Sequence, residues 1–164
     1  MNFESTISLS TKIGNVSLAL SGRNLLSLSI CNKKNKKLDS KEAYSKDNMP
    51  QESVLLQLNK YFSSVMPFHD IPLAPSGTEF QKTVWNELIK IPLGETRTYG
   101  QIAIILNSSA RAVGNACRRN PIQIIIPCHR VVSAKGLGGY AGKTEGEQLA
   151  IKRWLLKHEG CDIE

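Results

Sequence analysis

The sequence predicts an α/β protein of the α+β type, in which a small antiparallel sheet precedes a mostly helical half. Apolar and polar residues alternate over residues 6–30, as in half-buried strands, whereas from residue 78 onward apolar residues recur at helical spacing. Three prolines in residues 66–77 interrupt both patterns. We therefore predict two domains, a β-rich scaffold with its linker over residues 1–75 and a C-terminal domain over residues 76–164.

The N-terminal half is predicted to be a meander of short strands followed by one helix. Gly14-Asn15 and Ser21–Asn24 supply the turns between strands. Residues 53–64 carry apolar side chains at helical spacing, with Ser53 as a suitable N-cap. Residues 31–47 hold six lysines and few apolar residues, so we expect an exposed loop there.

The C-terminal half is predicted to contain four helices. The first begins after Thr78 and ends before Pro92 and Gly94, which are residues that stop helices. Two short helices separated near Asn107–Ser109 are typical of a helix-turn-helix, although an ordinary helical hairpin has the same pattern. The last helix covers roughly Glu145–His158.

The net charge of +7 is concentrated in one part of the chain. Between Glu95 and Glu145 there is no acidic residue, and this interval holds Arg97, Arg111, Arg118, Arg119, Arg130, Lys135 and Lys143. Such a stretch indicates a polyanionic partner, and we favour nucleic acid over a merely solvated basic face. The second helix of the helix-turn-helix has a slim surface, formed by Ala110, Ala112, Gly114 and Ala116, with Arg111 as its one long side chain near the start. This surface predicts shape-tolerant binding instead of base reading.

The remaining composition excludes several classes of protein. The four cysteines and three histidines show no metal-ligand spacing, so we expect no structural metal and reduced thiols. No apolar run approaches the length of a bilayer, and residues 1–10 are too polar for a signal peptide. We therefore expect an intracellular protein that has no membrane partner.

The segment around Cys128 is the strongest candidate for chemistry. Ile124–Ile126 and Val131–Val132 are β-branched runs that predict buried strands, and Pro127 predicts a turn between them. A thiol becomes a nucleophile when an imidazole or a cation favours its thiolate, and His129 follows directly. An unpaired cysteine is also often an inert core residue. Residue chemistry alone leaves both interpretations open.

Glu159 follows the last helix, where the helix dipole disfavours a carboxylate unless a cation compensates it. His129 would be a suitable partner, which gives a Glu–His–Cys relay. Because neighbours in an extended chain point to opposite sides, we expect Cys128 and His129 to communicate through an ordered water. The glycine-rich residues 136–142 lack the order of a nucleotide-binding motif, but could bring backbone N–H groups close to a substrate.

Several motifs in fixed order resemble the O6-alkylguanine-DNA alkyltransferases, also called methylated-DNA–protein-cysteine methyltransferases. The resemblance extends from about Thr78 to Gly160, and residues 1–75 match only in general character, as a ribonuclease-H-like scaffold. The motifs that carry it are Phe80–Trp85, Tyr99–Ala103, Ala110–Gly114, Arg119-Asn120-Pro121, Pro127-Cys128-His129-Arg130, Gly138-Gly139-Tyr140 and Trp154–Leu156.

The resemblance implies a direct repair reaction without a cofactor. Cys128 would accept an alkyl group from O6 of guanine, or from O4 of thymine, and keep it, so that each chain acts once. His129 and Glu159 would form the water-linked relay that yields the thiolate. Asn120 would hold the turn around the cysteine, and Tyr99 would offer its hydroxyl to the departing guanine.

The same resemblance implies how DNA would be held. The partner would be double-stranded DNA containing O6-alkylguanine, with the base flipped out through the minor groove and Arg111 filling the stack. Val131, Tyr140 and the Ala141 backbone would line the base pocket. Further DNA contacts would come from Ala110, Ala112, Gly114 and Arg118. We expect a monomer in the cytoplasm, associated with the nucleoid, or in the nucleus if the source is eukaryotic.

Two departures and two alternatives accompany this interpretation. Gln123 stands where many relatives have a second proline, and the cysteines and histidines of zinc-binding relatives are missing, so we expect no zinc. A helix-turn-helix binding or sensing module without transfer activity is the main alternative. A cysteine hydrolase using Cys128 and His129 is another, but it would also need an oxyanion hole and a group that orients the imidazole.

Overall fold

The computed structural model describes residues 4–31 and 49–163, with side chains from residue 6 and from residue 53 onward in these ranges. The chain divides into two compact units, Met1–Ser76 and Gly77–Glu164. The predicted lysine-rich loop lies outside the described residues, apart from its first position. None of the described helices is long and apolar enough to cross a membrane.

The first unit contains the predicted antiparallel meander. Strands β1 (Glu4–Thr11), β2 (Gly14–Ser21) and β3 (Asn24–Cys31) lie in the order β1-β2-β3. The turn between β1 and β2 is Lys12-Ile13, two residues before the predicted Gly14-Asn15, so that prediction was wrong in its register. Apolar side chains that alternate along the sheet are buried, and so are apolar side chains of α1; the buried residues include Val16, Leu18, Leu25, Leu28, Leu58 and Tyr61.

Helix α1 (Met49–Ser64) begins four residues before the predicted start, so Ser53 lies inside the helix and the N-cap prediction was wrong. Pro50 suits the first turn, because the N–H that proline lacks would be unpaired there in any case. The Gln57 side chain accepts a hydrogen bond from His69 N and donates one to His69 O, both at 2.9 Å.

The proline-rich segment after α1 is irregular, as predicted, but it is partly tied to the sheet. Leu25 N donates to Pro72 O at 2.8 Å, and Ala74 N donates to Leu25 O at 3.0 Å. Leu25 and Leu73 thereby form a parallel bridge. The segment therefore continues the first unit for several residues beyond its helix.

The second unit is mostly helical. Its elements are α2 (Glu79–Ile89), β4 (Arg97–Thr98), α3 (Tyr99–Ile105), α4 (Ala110–Arg118), a 3-10 helix (Cys128–Arg130), β5 (Val131–Val132) and α5 (Glu147–His158). Thr78 and Thr98 form capping boxes at α2 and α3, and Ser109 caps α4 by accepting a hydrogen bond from Ala112 N. Helices α3 and α4 pack against each other across the predicted break, as a helix-turn-helix does.

The two short strands place the site. β4 and β5 pair in parallel, with Arg97 opposite Val131 and Thr98 opposite Val132. This ladder holds the start of α3, and therefore Tyr99, beside the segment that follows Cys128. Together, the antiparallel sheet and the helices give the α/β class that the sequence predicts.

The prediction that Ile124–Ile126 forms a strand was wrong. These residues form a tight turn in which Ile125 N donates to Gln123 O at 2.8 Å and Ile126 N donates to Ile122 O at 3.0 Å. Ile124 has a φ of +70°, which is strained for a β-branched residue. The three side chains are buried, but β4 is only two residues long and already pairs with β5, so in the described unit these residues have no strand partner.

Candidate active site

Cys128 lies at the first position of the 3-10 helix, just after Pro127. Cys128 N donates to Ile126 O at 2.8 Å, and Pro127 has φ −82° and ψ 63°, which is an inverse γ-turn. The short helix leads directly into β5, so both ends of the turn are fixed by buried residues. Cys128 itself is only 5% exposed.

Asn120 holds this turn together. Its Nδ2 donates to Ile126 O at 2.8 Å and to Cys128 Sγ at 3.1 Å, while its Oδ1 accepts from Ile122 N at 2.9 Å. Burial raises the pKa of the Cys128 thiol, and the hydrogen bond from Asn120 and the positive charge of Lys152 oppose that rise. Burial is the larger influence, so the pKa stays above that of a free thiol, and the two contacts lower the cost of forming the thiolate.

Glu159 joins His129 and Arg130 in a buried cluster. Glu159 Oε1 lies 2.8 Å from His129 Nε2, and Arg130 donates from Nε to Oε2 at 2.8 Å and from Nη2 to Oε1 at 3.0 Å. Burial alone would raise the pKa of Glu159, but the hydrogen bonds from His129 and Arg130 hold it well below its usual range. The carboxylate is therefore ionised at neutral pH.

This cluster defines the state of the imidazole. Burial lowers the pKa of His129, although Glu159 opposes the change, so the ring is neutral at neutral pH. An ionised carboxylate can only accept, so His129 Nε2 carries the hydrogen and Nδ1 carries a lone pair. His129 Nδ1 is buried and has no hydrogen-bond partner within the described part of the chain. It can act as a base.

Two expectations about these residues need correction. Cys128 and His129 lie in a 3-10 helix and not in an extended segment, so the stated reason for their indirect communication was wrong. The water-linked relay itself stays a prediction. Arg130 was counted among the cations facing a polyanion, but it is only 7% exposed and its Nη1 donates to Ile91 O at 2.7 Å. Its charge is committed to Glu159.

Lys152 was missed by the sequence reasoning. Its side chain is fully buried, and Nζ donates to Val131 O at 2.5 Å and to Gly139 O at 2.9 Å. Nζ also lies 5.8 Å from the centre of the Tyr99 ring. Burial lowers the pKa of Lys152 to about 8, while the nearby Cys128 acts in the opposite direction. Its place on the apolar face of α5, three residues before Leu155, was the available signal.

The thiol of Cys128 opens into a cavity of about 230 Å³. Its lining includes Tyr99, Gly114, Cys117, Cys128, Tyr140 and Ala141. Tyr99 Oη donates to Gly139 O at 3.3 Å, and burial raises the pKa of Tyr99, so the hydroxyl stays protonated. Burial likewise raises the pKa of Tyr140. Val131 does not belong to this lining, although its carbonyl is held by Lys152.

A tight turn forms one wall of the cavity. Tyr140 N donates to Lys143 O at 2.8 Å and Lys143 N donates to Tyr140 O at 2.9 Å, while Ala141 and Gly142 have φ values of +48° and +78°. This is the geometry of a two-residue type I′ hairpin, in which the central N–H groups are not used by the turn. The Ala141 N–H is therefore free to serve a ligand, as the glycine-rich sequence suggested.

The predicted DNA-binding residues lie along α4. Ala110, Arg111 and Arg118 are exposed, and Ala112 and Gly114 are half-buried. Arg118 also covers the cavity wall, because a Cβ added to Gly142 would lie 2.7 Å from Arg118 Nε.

One residue of the predicted slim surface of α4 faces inward. Ala116 is only 2% exposed, and its carbonyl accepts a hydrogen bond from Trp85 Nε1 at 2.9 Å. The expectation that Ala116 contributes to the outer surface was therefore wrong.

Comparison with known proteins gives consistent results for both units. The family model described as "6-O-methylguanine DNA methyltransferase, DNA binding domain" matches residues 79–161. The model described as "6-O-methylguanine DNA methyltransferase, ribonuclease-like domain" matches residues 6–75. Together these two matches cover most of the chain.

Among similar proteins, the methylated-DNA–protein-cysteine methyltransferase of Methanosarcina acetivorans is 55% identical over 107 residues, which is 63% of this chain and 65% of that protein. The chain thus matches a little less than two thirds of that relative's length. The corresponding Methanosarcina mazei protein is 58% identical over 111 residues, which is 66% of this chain and 67% of that protein.

Solved structures extend the likeness to nearly the whole chain. The crystal structure of the O6-methylguanine methyltransferase of Mycobacterium tuberculosis has a TM-score of 0.78 at 37% identity, and covers 96% of this chain and 93% of that one. Its complex with DNA has a TM-score of 0.77 at 38% identity, and covers 94% of this chain and 92% of that one. The chain therefore belongs to the 6-O-methylguanine DNA methyltransferase family.

Proposed function

We propose that this protein repairs DNA by moving an alkyl group from O6 of guanine onto Cys128, once per chain. The observation that carries the proposal is the arrangement of Cys128 at a cavity with an ionised Glu159 and a neutral His129 behind it. A protein that only binds DNA does not need a buried imidazole base beside a thiol. Burying the charged carboxylate of Glu159 that supports this base costs free energy, so its presence favours a chemical role.

The reaction begins with loss of the Cys128 proton. His129 Nδ1 takes that proton, through an ordered water in our proposal, and Glu159 stabilises the imidazolium that forms. The thiolate then attacks the alkyl carbon in line with the carbon–oxygen bond. A carbon–sulfur bond forms, the bond to O6 breaks, and guanine leaves with the electron pair. A thioether has no easy route back to a thiol, so no second turnover follows.

The departing guanine needs hydrogen-bond donors. Tyr99 keeps its proton and reaches the cavity, so we assign it the task of stabilising the charge that develops on the base. Tyr140 and the Ala141 N–H are assigned to holding the base, and Val131 contributes from behind the cavity through its carbonyl. Asn120 keeps Cys128 in position. The same chemistry extends to O4 of thymine, and it needs no cofactor.

Double-stranded DNA containing O6-alkylguanine is the proposed partner. A guanine inside a duplex cannot present O6 to a buried thiol, so the base must leave the stack at a cost of about a few kcal/mol. The small residues Ala110, Ala112 and Gly114 allow α4 to approach the minor groove, with Arg111 filling the gap and Arg118 at the cavity wall. The DNA complex of the Mycobacterium tuberculosis relative supports this partner.

We further propose that the limits of the two domains are residues 1–75 and 76–164, with the first as a scaffold for the second. A single flipped base needs one cavity, so the protein acts as a monomer. It acts where its DNA is, in the cytoplasm with the nucleoid or in the nucleus of a eukaryote.

Mass spectrometry tests the proposal. The protein is mixed with a duplex that carries one O6-methylguanine, and both its intact mass and its tryptic peptides are measured. We expect a gain of one CH2 per chain, confined to the peptide 120–130 and stopping at one equivalent. Cys128→Ser should gain nothing while it still binds the duplex. An unchanged mass for the wild-type protein bound to the duplex would instead leave a helix-turn-helix binding module.

A further inference from the structure

We infer that Cys117 is a resolving thiol for Cys128, so that peroxide oxidation of the acceptor ends in a reversible Cys117–Cys128 disulfide. The inference rests on the proposed function in one respect, since it takes Cys128 to be a reactive thiol. It adds a redox modification site to the repair cavity and assigns a role to a cysteine that the transfer reaction does not use.

Cys117 and Cys128 line the same cavity and are joined by one short segment of chain. Cys117, in the last turn of α4, and Cys128 both line the 230 Å³ cavity. Asn120 connects them, because its backbone N donates to Cys117 O at 3.1 Å and its side chain donates to Cys128 Sγ at 3.1 Å. Residues 119–127, which join the two cysteines, contain no regular helix or strand ladder, and the hydrogen bonds of Asn120 hold this segment to Cys117 O at one end and to Cys128 Sγ at the other.

The two cysteines differ in the way that a peroxide-sensitive pair requires. Burial raises the pKa of both thiols and the charge of Lys152 opposes both rises, but the side-chain hydrogen bond of Asn120 goes to Cys128 Sγ and favours the thiolate of that residue. Cys117 is 8% exposed, and burial raises its pKa, so it stays a thiol until a reactive sulfur appears beside it. Cys128 is therefore oxidised first, and Cys117 responds.

The chemistry balances with hydrogen peroxide as the oxidant. The Cys128 thiolate attacks one peroxide oxygen, which gives Cys128 sulfenic acid and, after protonation, one water. Cys117 sulfur then attacks the sulfenic sulfur, its proton leaves with the hydroxyl group as a second water, and the disulfide forms. A dithiol reductant returns both thiols by exchange. Without Cys117, the sulfenic acid proceeds to sulfinic acid, which is not reversed by thiols.

The other cysteines with described surroundings are not placed for this role. Cys161 packs with Val132, Leu137 and Leu156, and it is not part of the cavity lining. Cys31 is exposed at the end of β3 in the first unit. Both are thus suitable control positions, and Cys31→Ser is the cleaner one, because it lies outside the unit that carries the site.

The test is peptide mapping of the full-length protein after brief exposure to hydrogen peroxide. Trypsin cleaves after Arg111, Arg118, Arg119 and Arg130, so Cys117 and Cys128 fall on separate peptides, 112–118 and 120–130. We expect the intact mass to fall by two hydrogen atoms and these two peptides to be linked. Dithiothreitol should release them and restore methyl transfer from an O6-methylguanine duplex.

Cys117→Ala supplies the comparison, with each variant's transfer expressed relative to its own reduced state. We expect its recovery after dithiothreitol to be at least about five-fold lower than that of the wild type, with sulfinic acid on peptide 120–130. Cys31→Ser should behave as the wild type does. Equal sulfinic acid in the wild type and Cys117→Ala, without linked peptides, would overturn the inference.

The two proposals fail separately in this experiment. Transfer by the reduced protein tests the repair reaction, whereas linkage of the two peptides tests the disulfide. Linked peptides in a protein that does not transfer would support the disulfide and overturn the repair function. Methyl transfer by the reduced protein, without linked peptides after peroxide, would support the repair function and overturn the disulfide.

Discussion

At the residue scale, the site depends on charges that are buried together. Glu159 is ionised because His129 and Arg130 both bond to it, so its charge is compensated twice. Arg130 is in turn fixed to Ile91 O, which ties the cluster to the end of α2. A buried pair of this kind contributes little net stability, but the loss of one partner leaves an uncompensated charge. In this site, the role of the buried cluster is to fix the tautomer of His129.

Lys152 permits a sharp prediction at this scale. Its cation opposes the effect of burial on Cys128, so Lys152→Met should raise the pKa of the Cys128 thiol. Transfer at neutral pH should fall by about ten-fold, since one pKa unit changes the thiolate fraction ten-fold. The loss should shrink as the pH rises, because the thiolate then forms without the cation. Single-turnover rates from pH 6 to about pH 10 measure the shift.

Lys157→Met is the matched control, because Lys157 is exposed on the same helix. It should leave both the rate and the pH profile near those of the wild type. A Lys152→Met protein that is slower by the same factor at every pH would contradict the electrostatic role. Lys152 would then act only by holding Val131 O and Gly139 O in place.

At the element scale, the shortest of the described α-helices carries one of the most important side chains. Helix α3 has only seven residues, and Tyr99 is its first. An isolated helix of that length is not stable, so its start depends on the capping box of Thr98 and Gln101 and on the ladder between β4 and β5. The position of the Tyr99 hydroxyl therefore depends on the two hydrogen bonds between Thr98 and Gln101.

Thr98→Ala and Thr78→Ala test this dependence as a matched pair. Each substitution removes a threonine from a capping box, at α3 and at α2 respectively. Each should lower the free energy of unfolding by about 1 kcal/mol, as measured by urea titration. Only Thr98→Ala should also slow methyl transfer, because only that cap precedes Tyr99. Equal transfer rates for the two variants would show that the cap does not position the hydroxyl.

At the scale of the whole molecule, the sequence predicts the fold better than it predicts which charged side chains are buried and what they bind. The meander, the helix-turn-helix and the approach of Glu159 to His129 follow from periodicity, turn residues and one unfavourable helix-end carboxylate. The burial of Arg130 and Lys152 was not predicted, because it depends on hydrogen-bond partners that lie far away in the sequence. Ile124–Ile126 has strand-forming residues, but a strand also needs a neighbour, which local sequence does not reveal.

The two units also differ in how they can be observed. Both tryptophans, Trp85 and Trp154, lie in the unit Gly77–Glu164. Tryptophan fluorescence therefore reports the unfolding of the unit that carries the site, whereas circular dichroism reports both. This separation matters because a chain of two units need not unfold in one step.

Acid should destabilise the unit that carries the site. The folded state lowers the pKa of His129 below 6.5, so the unfolded state takes up that proton first as the pH falls through 6.5. The pKa of Glu159 is also lowered, from 4.5, so its contribution is present above pH 4.5 and is lost below it. Both groups therefore remove stability on acidification. Urea unfolding followed by tryptophan fluorescence should give a lower free energy of unfolding at pH 5 than at pH 7.

The substitution His129→Asn isolates the contribution of His129 to the pH dependence of stability. It removes the titrating ring, so the free energy of unfolding of this variant should change less between pH 7 and pH 5 than that of the wild type, even though the variant is less stable at pH 7. His69→Asn is the control, since His69 is exposed in the first unit and is bonded to Gln57 through its backbone. Its fluorescence-detected stability should follow the wild type at both pH values. An unchanged pH dependence in His129→Asn would mean that the imidazole is not held neutral by its burial beside Glu159 and Arg130.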